Sequence, residues 1–140
     1  MTNLEANKAI ARQFNDFFDG GNLEGCMALL SPDMKAYATG APGPMNRDAF
    51  RQMAEQFHGG FSNGKHSYKT QIAEGDQVAT YAVWSATNSG SFNGIPASGK
   101  RVEMDIVIID TIRDGKIVEH RGYFDIMALL TQVGAIPAAA

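Results

Sequence analysis

In the stretch "DGKIVEHRGYFD", Asp114–Asp125, the residues Glu119, Arg121, Tyr123 and Asp125 recur at every second position. Side chains alternate between the two faces of a strand, so a strand here would set two carboxylates, a guanidinium and a phenol on one face. Carboxylates held that close to an arginine and away from water need partners, and their proton affinities move. A polar-lined cavity would supply such partners, and Asp105, in "KRVEMDIVIIDTI", is a further acid able to pair with Arg121. Two plainer readings stand beside it. The polar set could be a solvated strand face with cross-strand ion pairs, and Asp125 could cap a helix over "IMALLTQVG". The very apolar neighbouring strand favours a polar-lined cavity between helices and a curved sheet.

Those residues need elements to position them. Thr2 and Glu5 have the spacing of a capping box, and Ile10, Phe14, Phe17 and Phe18 follow at helical spacing until Gly20 and Gly21 stop them. Asn22 can cap a short second helix closed by Pro32, and Asn46 a third that carries Phe50, Met53, Ala54 and Phe57 and ends at Gly59 and Gly60. Between these two, Met34–Thr39 reads as a short strand. From Lys65 onward four β-rich runs are divided by "EGD", "GSFNGIPASG" and "RDG". Asp114-Gly115 supports a hairpin, because both residues tolerate the positive φ of a primed turn. Helices first and antiparallel strands after them predict one α+β domain. In the run Val102–Ile112, Met104, Ile106, Ile108, Asp110 and Ile112 share one face, and Asp105, Val107, Ile109 and Thr111 the other. Both faces are largely apolar, which predicts a homodimer through the sheet.

Composition narrows the partners. A net charge of -3 with 19% charged residues leaves no basic footprint for nucleic acid or for an anionic membrane. A hydrophobic small molecule is the expected ligand. The amino end has no secretory pattern and no apolar run reaches the ~18 residues of a membrane span, so a soluble, cytoplasmic protein is expected. The lone Cys26 excludes an internal disulfide and a cysteine zinc site, and reads as a small core residue. No metal-ligand spacing or phosphate loop occurs, so no cofactor is expected. Other candidates for the ligand are Phe14 on the first helix, Trp84 and Asn88 on one strand face, and the tyrosines 37, 81 and 123. His66 and His120 read as structural or surface residues, and His58 as a decoration of a helix end.

The element order together with "AEGDQVAT", "SGSFNGIPASGK" and "RDGKIVEHRGYFDIMALLTQVG" resembles the SnoaL-type polyketide cyclases over nearly the whole chain. These sit in the nuclear transport factor 2-like superfamily with ketosteroid isomerase and limonene epoxide hydrolase. The resemblance implies a cone-shaped barrel, a curved antiparallel sheet wrapped around three N-terminal helices. It also implies cofactor-free aldol closure of an aromatic polyketide ester, with Asp125 as the general acid/base. This chain has Arg121 where relatives commonly have an aromatic residue, and Asn88, able to donate to a carbonyl but not to relay protons, where they commonly have histidine. Arg121 would hold down the proton affinity of Asp125 unless it pairs with Glu119 or Asp105. Two rival readings remain. One is a limonene-type epoxide hydrolase that activates water with Asp105, Arg121 and Asp125; the other is a pocket that binds a hydrophobic metabolite without catalysis. Ketosteroid isomerase chemistry fits poorly, since "MKAYATGAP" offers no carboxylate near Ala38.

Overall fold

The structure is a computed structural model that describes residues 3–137. Helix α1 (Leu4–Asp19) leads to α2 (Leu23–Leu29), strand β1 (Leu30–Ala38), α3 (Arg47–Gly60), and strands β2 (Ser62–Glu74), β3 (Gln77–Thr87), β4 (Arg101–Arg113) and β5 (Lys116–Phe124). A last helix, α4 (Ile126–Gln132), follows β5. The predicted α+β architecture is what forms. No helix among the described residues is long and apolar enough to cross a membrane.

Asparagine caps three of the helices, as short side chains that accept from an orphan N–H favour helix starts. Asn22 accepts from Gly25 N at 2.9 Å and Asn46 from Ala49 N at 2.8 Å, both as predicted. For α1 the cap is Asn3, which accepts from Ala6 N at 3.0 Å; Thr2 of the expected capping box lies outside the described residues. Pro32 does not close α2. Leu30 already leaves the helix in an extended conformation, and Pro32 falls inside β1. β1 is an edge strand, where a missing N–H costs no ladder bond.

The strand order is β1-β5-β4-β3-β2. The sheet is mixed rather than wholly antiparallel, because β1 pairs with β5 in parallel while the other three pairs are antiparallel. It keeps two edges, so it curls without closing into a barrel. The helices cover one face. Two apolar clusters hold the layers together, one built on Phe14, Cys26, Leu30, Met34, Phe50 and Ile117, the other on Phe61, Trp84, Phe92, Val102, Met104 and Leu129. Cys26 serves the first as a core residue: burial, with the charge of Asp19 adding to it, pushes its thiol up to about 12, so it carries almost no thiolate at neutral pH. The second closes one end of the molecule, where Phe92 of the β3–β4 loop packs on Phe57 and Phe61 with ring centroids 4.9 and 5.3 Å apart.

Candidate active site

The site is decided by one extra residue in the β4–β5 hairpin. Asp114 and Gly115 take the positive φ values of the expected turn, 52° and 76°, and Arg113 pairs with Lys116 and Ile112 with Ile117. A bulge then shifts the register between Thr111 and Ile112, so that Thr111 faces Glu119, Asp110 faces His120 and Ile108 faces Gly122. A one-residue slip sends every later side chain to the opposite face. β4 turns Met104, Ile108, Asp110 and Ile112 inward, as its alternation predicts, and beyond the bulge β5 turns His120, Gly122 and Phe124 inward with them. Glu119, Arg121 and Tyr123 therefore lie on the outer side of the sheet, and Asp125 stands just past the end of β5.

A cavity of about 80 Å³ lies between helices and sheet, with Phe14, Asn15 and Phe18 of α1, Phe50 and Phe57 of α3, and Trp84 of β3 among its walls. A recess of about 220 Å³ adjoins it and shares Phe18, Phe57 and Trp84 as a common wall. Most of the cavity lining is apolar, and into it come two histidines, each backed by a carboxylate. His120 Nδ1 lies 2.6 Å from Asp110 Oδ1, with His120 6% and Asp110 1% exposed. In the tautomer that places the proton on Nδ1, that N–H donates to the Asp110 carboxylate and Nε2 is left as the nitrogen that can take a proton. Nε2 has no partner among the described residues. Phe14 and Phe50 fix the ring from two sides, with centroids 5.0 and 5.3 Å away. On the other side of the cavity, Asp19 accepts from the backbone N–H of His66 and meets its Nδ1, both at 2.7 Å, and Phe18 packs edge-on against the His66 ring. Both pairs follow one pattern. A carboxylate orients an imidazole whose other nitrogen is free, on a wall that otherwise excludes water.

Of the residues predicted from sequence, Phe14 and Trp84 line this cavity, and Tyr37 borders it while its ring lies under the Arg121 guanidinium at 3.9 Å. Asn88 is buried but spent. Its Nδ2 donates to Gly60 O and Gly90 O, each at 3.0 Å, and its Oδ1 accepts from Ser98 N at 2.8 Å, which ties the β3–β4 loop to the end of α3. No capacity remains for a ligand carbonyl. The expected trio is not assembled either. Arg121 pairs with Glu119 at 2.9 Å, Asp105 accepts from the exposed Tyr81 hydroxyl at 2.8 Å, and Asp125 accepts from Ala128 N at 2.9 Å as the N-cap of α4. Glu119 and Tyr123 share that outer face. As placed, Asp105, Arg121 and Asp125 are held by these other contacts, and none of the three lines the cavity. Asp125→Asn, which keeps a capping side chain, is expected to leave turnover within about twofold of wild type, while Asp125→Ala lowers stability by about 1 kcal/mol. Parallel turnover and thermal melting measurements check both. His120, Asp110, His66, Asp19 and Asn15 are the polar residues that sequence reasoning did not place at the site. The signal for Asp110 was present, an acid on the same strand face as three isoleucines.

No curated protein sequence matches the chain. Its fold is shared with AclR of Streptomyces galilaeus, a proposed hydroxylase, at 25% identity and a TM-score of 0.90, over 99% of this chain and 87% of that one. IdmH of Streptomyces antibioticus, a proposed polyketide cyclase, matches at 27% identity and a TM-score of 0.81, over 91% and 98% of the two chains. A SnoaL-like protein of Jannaschia sp. CCS1 matches at 22% identity and a TM-score of 0.86, over 96% and 95%. With the SnoaL-like polyketide cyclase family matched over residues 8–133, the chain belongs to that family, and its nuclear transport factor 2-like fold is the one the elements build.

Proposed function

We propose that the protein is a cofactor-independent cyclase that closes a ring in an aromatic polyketide ester, with His120 as general base and acid and Asp110 as the residue that orients it. The observation that carries this reading is the buried His120–Asp110 pair, whose unpartnered Nε2 faces an apolar cavity. The chemistry needs no more than that. A methylene between two carbonyls is acidic because its conjugate base is delocalised. His120 Nε2 removes one of its protons, the carbanion attacks a second carbonyl carbon of the same molecule, and the new alkoxide takes the proton back from the imidazolium. One carbon–carbon bond forms, and the mass does not change. The Asp110 carboxylate steadies the imidazolium while it lasts, and the phenylalanines around it keep water away. A substrate of more than one ring needs the adjoining recess as well as the cavity, and the aromatic wall between the two suits a flat molecule.

The purified protein, incubated with a panel of aromatic poly-β-keto esters and followed by liquid chromatography with mass detection, is expected to give a new peak of unchanged mass. A product one water heavier from an epoxide would favour hydrolysis. No product from any member, with binding retained, would favour a pocket without catalysis.

A homodimer belongs to the same proposal. Tyr81, Val107 and Tyr123 face one another across β3, β4 and β5 and stand 37%, 38% and 47% exposed, a row of apolar side chains on the outer face. Asp105 and Arg121 carry opposite charges beside that row, so a second copy turned by a two-fold axis would meet both apolar and charge complements. Light scattering should give twice the 15.1 kDa chain mass for the wild type and the single mass for Val107→Glu.

A further inference from the structure

We infer that Asn15 is the residue that recognises the substrate's carbonyl oxygen, and that the cavity selects for aromatic molecules bearing a ketone. The inference rests on the reading of this cavity as an acid–base site for carbonyl compounds and names the group that would hold the oxygen.

Asn15 sits on the sheet-facing side of α1, one turn from Ala11, between the Phe14 and Phe18 that brace the two histidines. It is 2% exposed and lines the cavity, yet its carboxamide makes no hydrogen bond among the described residues, and its Nδ2 is buried with no acceptor. Buried amide groups almost always have partners, because leaving one unmet sacrifices the hydration it had in the unfolded chain. The other polar side chains of this interior each have at least one partner, even though Asp110 leaves its Oδ2 unmet. His120 has Asp110, His66 has Asp19, and Asn88 has three backbone partners. An asparagine on the apolar stripe of a helix also costs helix propensity against leucine. The position therefore weakens the fold in two ways, and the compensating gain is a ligand atom. A carboxamide can turn about its last torsion to present N–H to an acceptor, and in a site whose base removes a proton next to a carbonyl, the acceptor is that carbonyl oxygen. Its negative charge grows as the enolate forms, so a donor there helps the transition state more than the ground state.

Trp84 is the one tryptophan of the chain and lines the cavity, so its fluorescence reports on occupancy. Acetophenone and α-methylstyrene form a matched pair, equal in shape, with C=O in the first and C=CH2 in the second. Wild type is expected to bind the ketone about tenfold more tightly than the alkene, the discrimination of one buried hydrogen bond. Asn15→Leu should abolish that preference and, because it removes an unmet amide, raise the melting temperature by roughly 3 °C. Asn15→Ala, which cannot overfill the cavity, should also lose the preference. His120→Gln keeps the ketone preference while losing turnover, so failure of the acid–base reading and failure of this one are distinguishable. The inference is overturned if Asn15→Leu melts lower than wild type, if either Asn15 variant still prefers the ketone, or if wild type binds neither compound or both equally.

Discussion

His120→Gln is expected to lower turnover by about 10²- to 10⁴-fold while the protein stays folded. The ring is held between Phe14 and Phe50 and bonded to Asp110, so its free nitrogen is fixed in place before any substrate arrives. A positioned base of that kind supplies its rate advantage by geometry as much as by proton affinity. Glutamine keeps a donor for the Asp110 carboxylate, so no buried charge is stranded, but it offers the cavity no nitrogen that can take a proton. Substrate binding should change by less than tenfold, because the remaining walls are untouched. A fall in kcat with little movement in KM separates loss of chemistry from loss of binding.

The second large effect is at Asp110. Asp110→Asn is expected to cost about 10²-fold or more in kcat. The asparagine amide can present N–H to Nδ1, which moves the imidazole proton to Nε2 and leaves the cavity facing a donor where a base is needed. Stability should respond differently. Asp110 Oδ2 is buried and unpartnered, and a buried pair with an unmet oxygen adds little to the fold. Asp110→Leu alone strands the His120 N–H and should destabilise by about 1–3 kcal/mol. Combining it with His120→Phe removes both polar groups, and that double variant should melt at or above the wild-type temperature while remaining inactive. A pair that costs stability only when broken singly, and whose removal abolishes turnover, is kept for its chemistry. Thermal melts of the three variants beside their turnover decide this.

The elements were legible because each has a local cause. Asn22 and Asn46 cap, Gly20 and Gly60 stop, Asp114-Gly115 turns, and alternation on β4 separates Met104 and Ile108 from Asp105 and Val107. The site was not, because it depends on a pairing irregularity that no single strand encodes. Without the bulge, the turn at Asp114-Gly115 would place Asp110 opposite Glu119 and bring Arg121 and Tyr123 inward. That is the arrangement the spacing of the charges suggests. One residue of slip replaces those side chains with His120, Gly122 and Phe124. The polar residues that looked catalytic became an outer face, and a histidine that looked structural came to the cavity. Asn15 escaped notice for another reason. On a helix marked by Phe14, Phe17 and Phe18, a lone asparagine reads as a tolerated exception, and only the finding that it has no partner gives it meaning. The parallel pairing of β1 with β5 was also hidden, since it joins strands about 80 residues apart in sequence.

If His120 moves a proton on and off carbon, solvent deuterium should enter the methylene of an aromatic β-keto ester, followed by proton NMR with wild type and His120→Gln side by side. Exchange by wild type well above the buffer rate, reduced to the buffer rate in the variant, is the predicted result. Equal exchange by the two proteins, or none above buffer with the wild type, would contradict it.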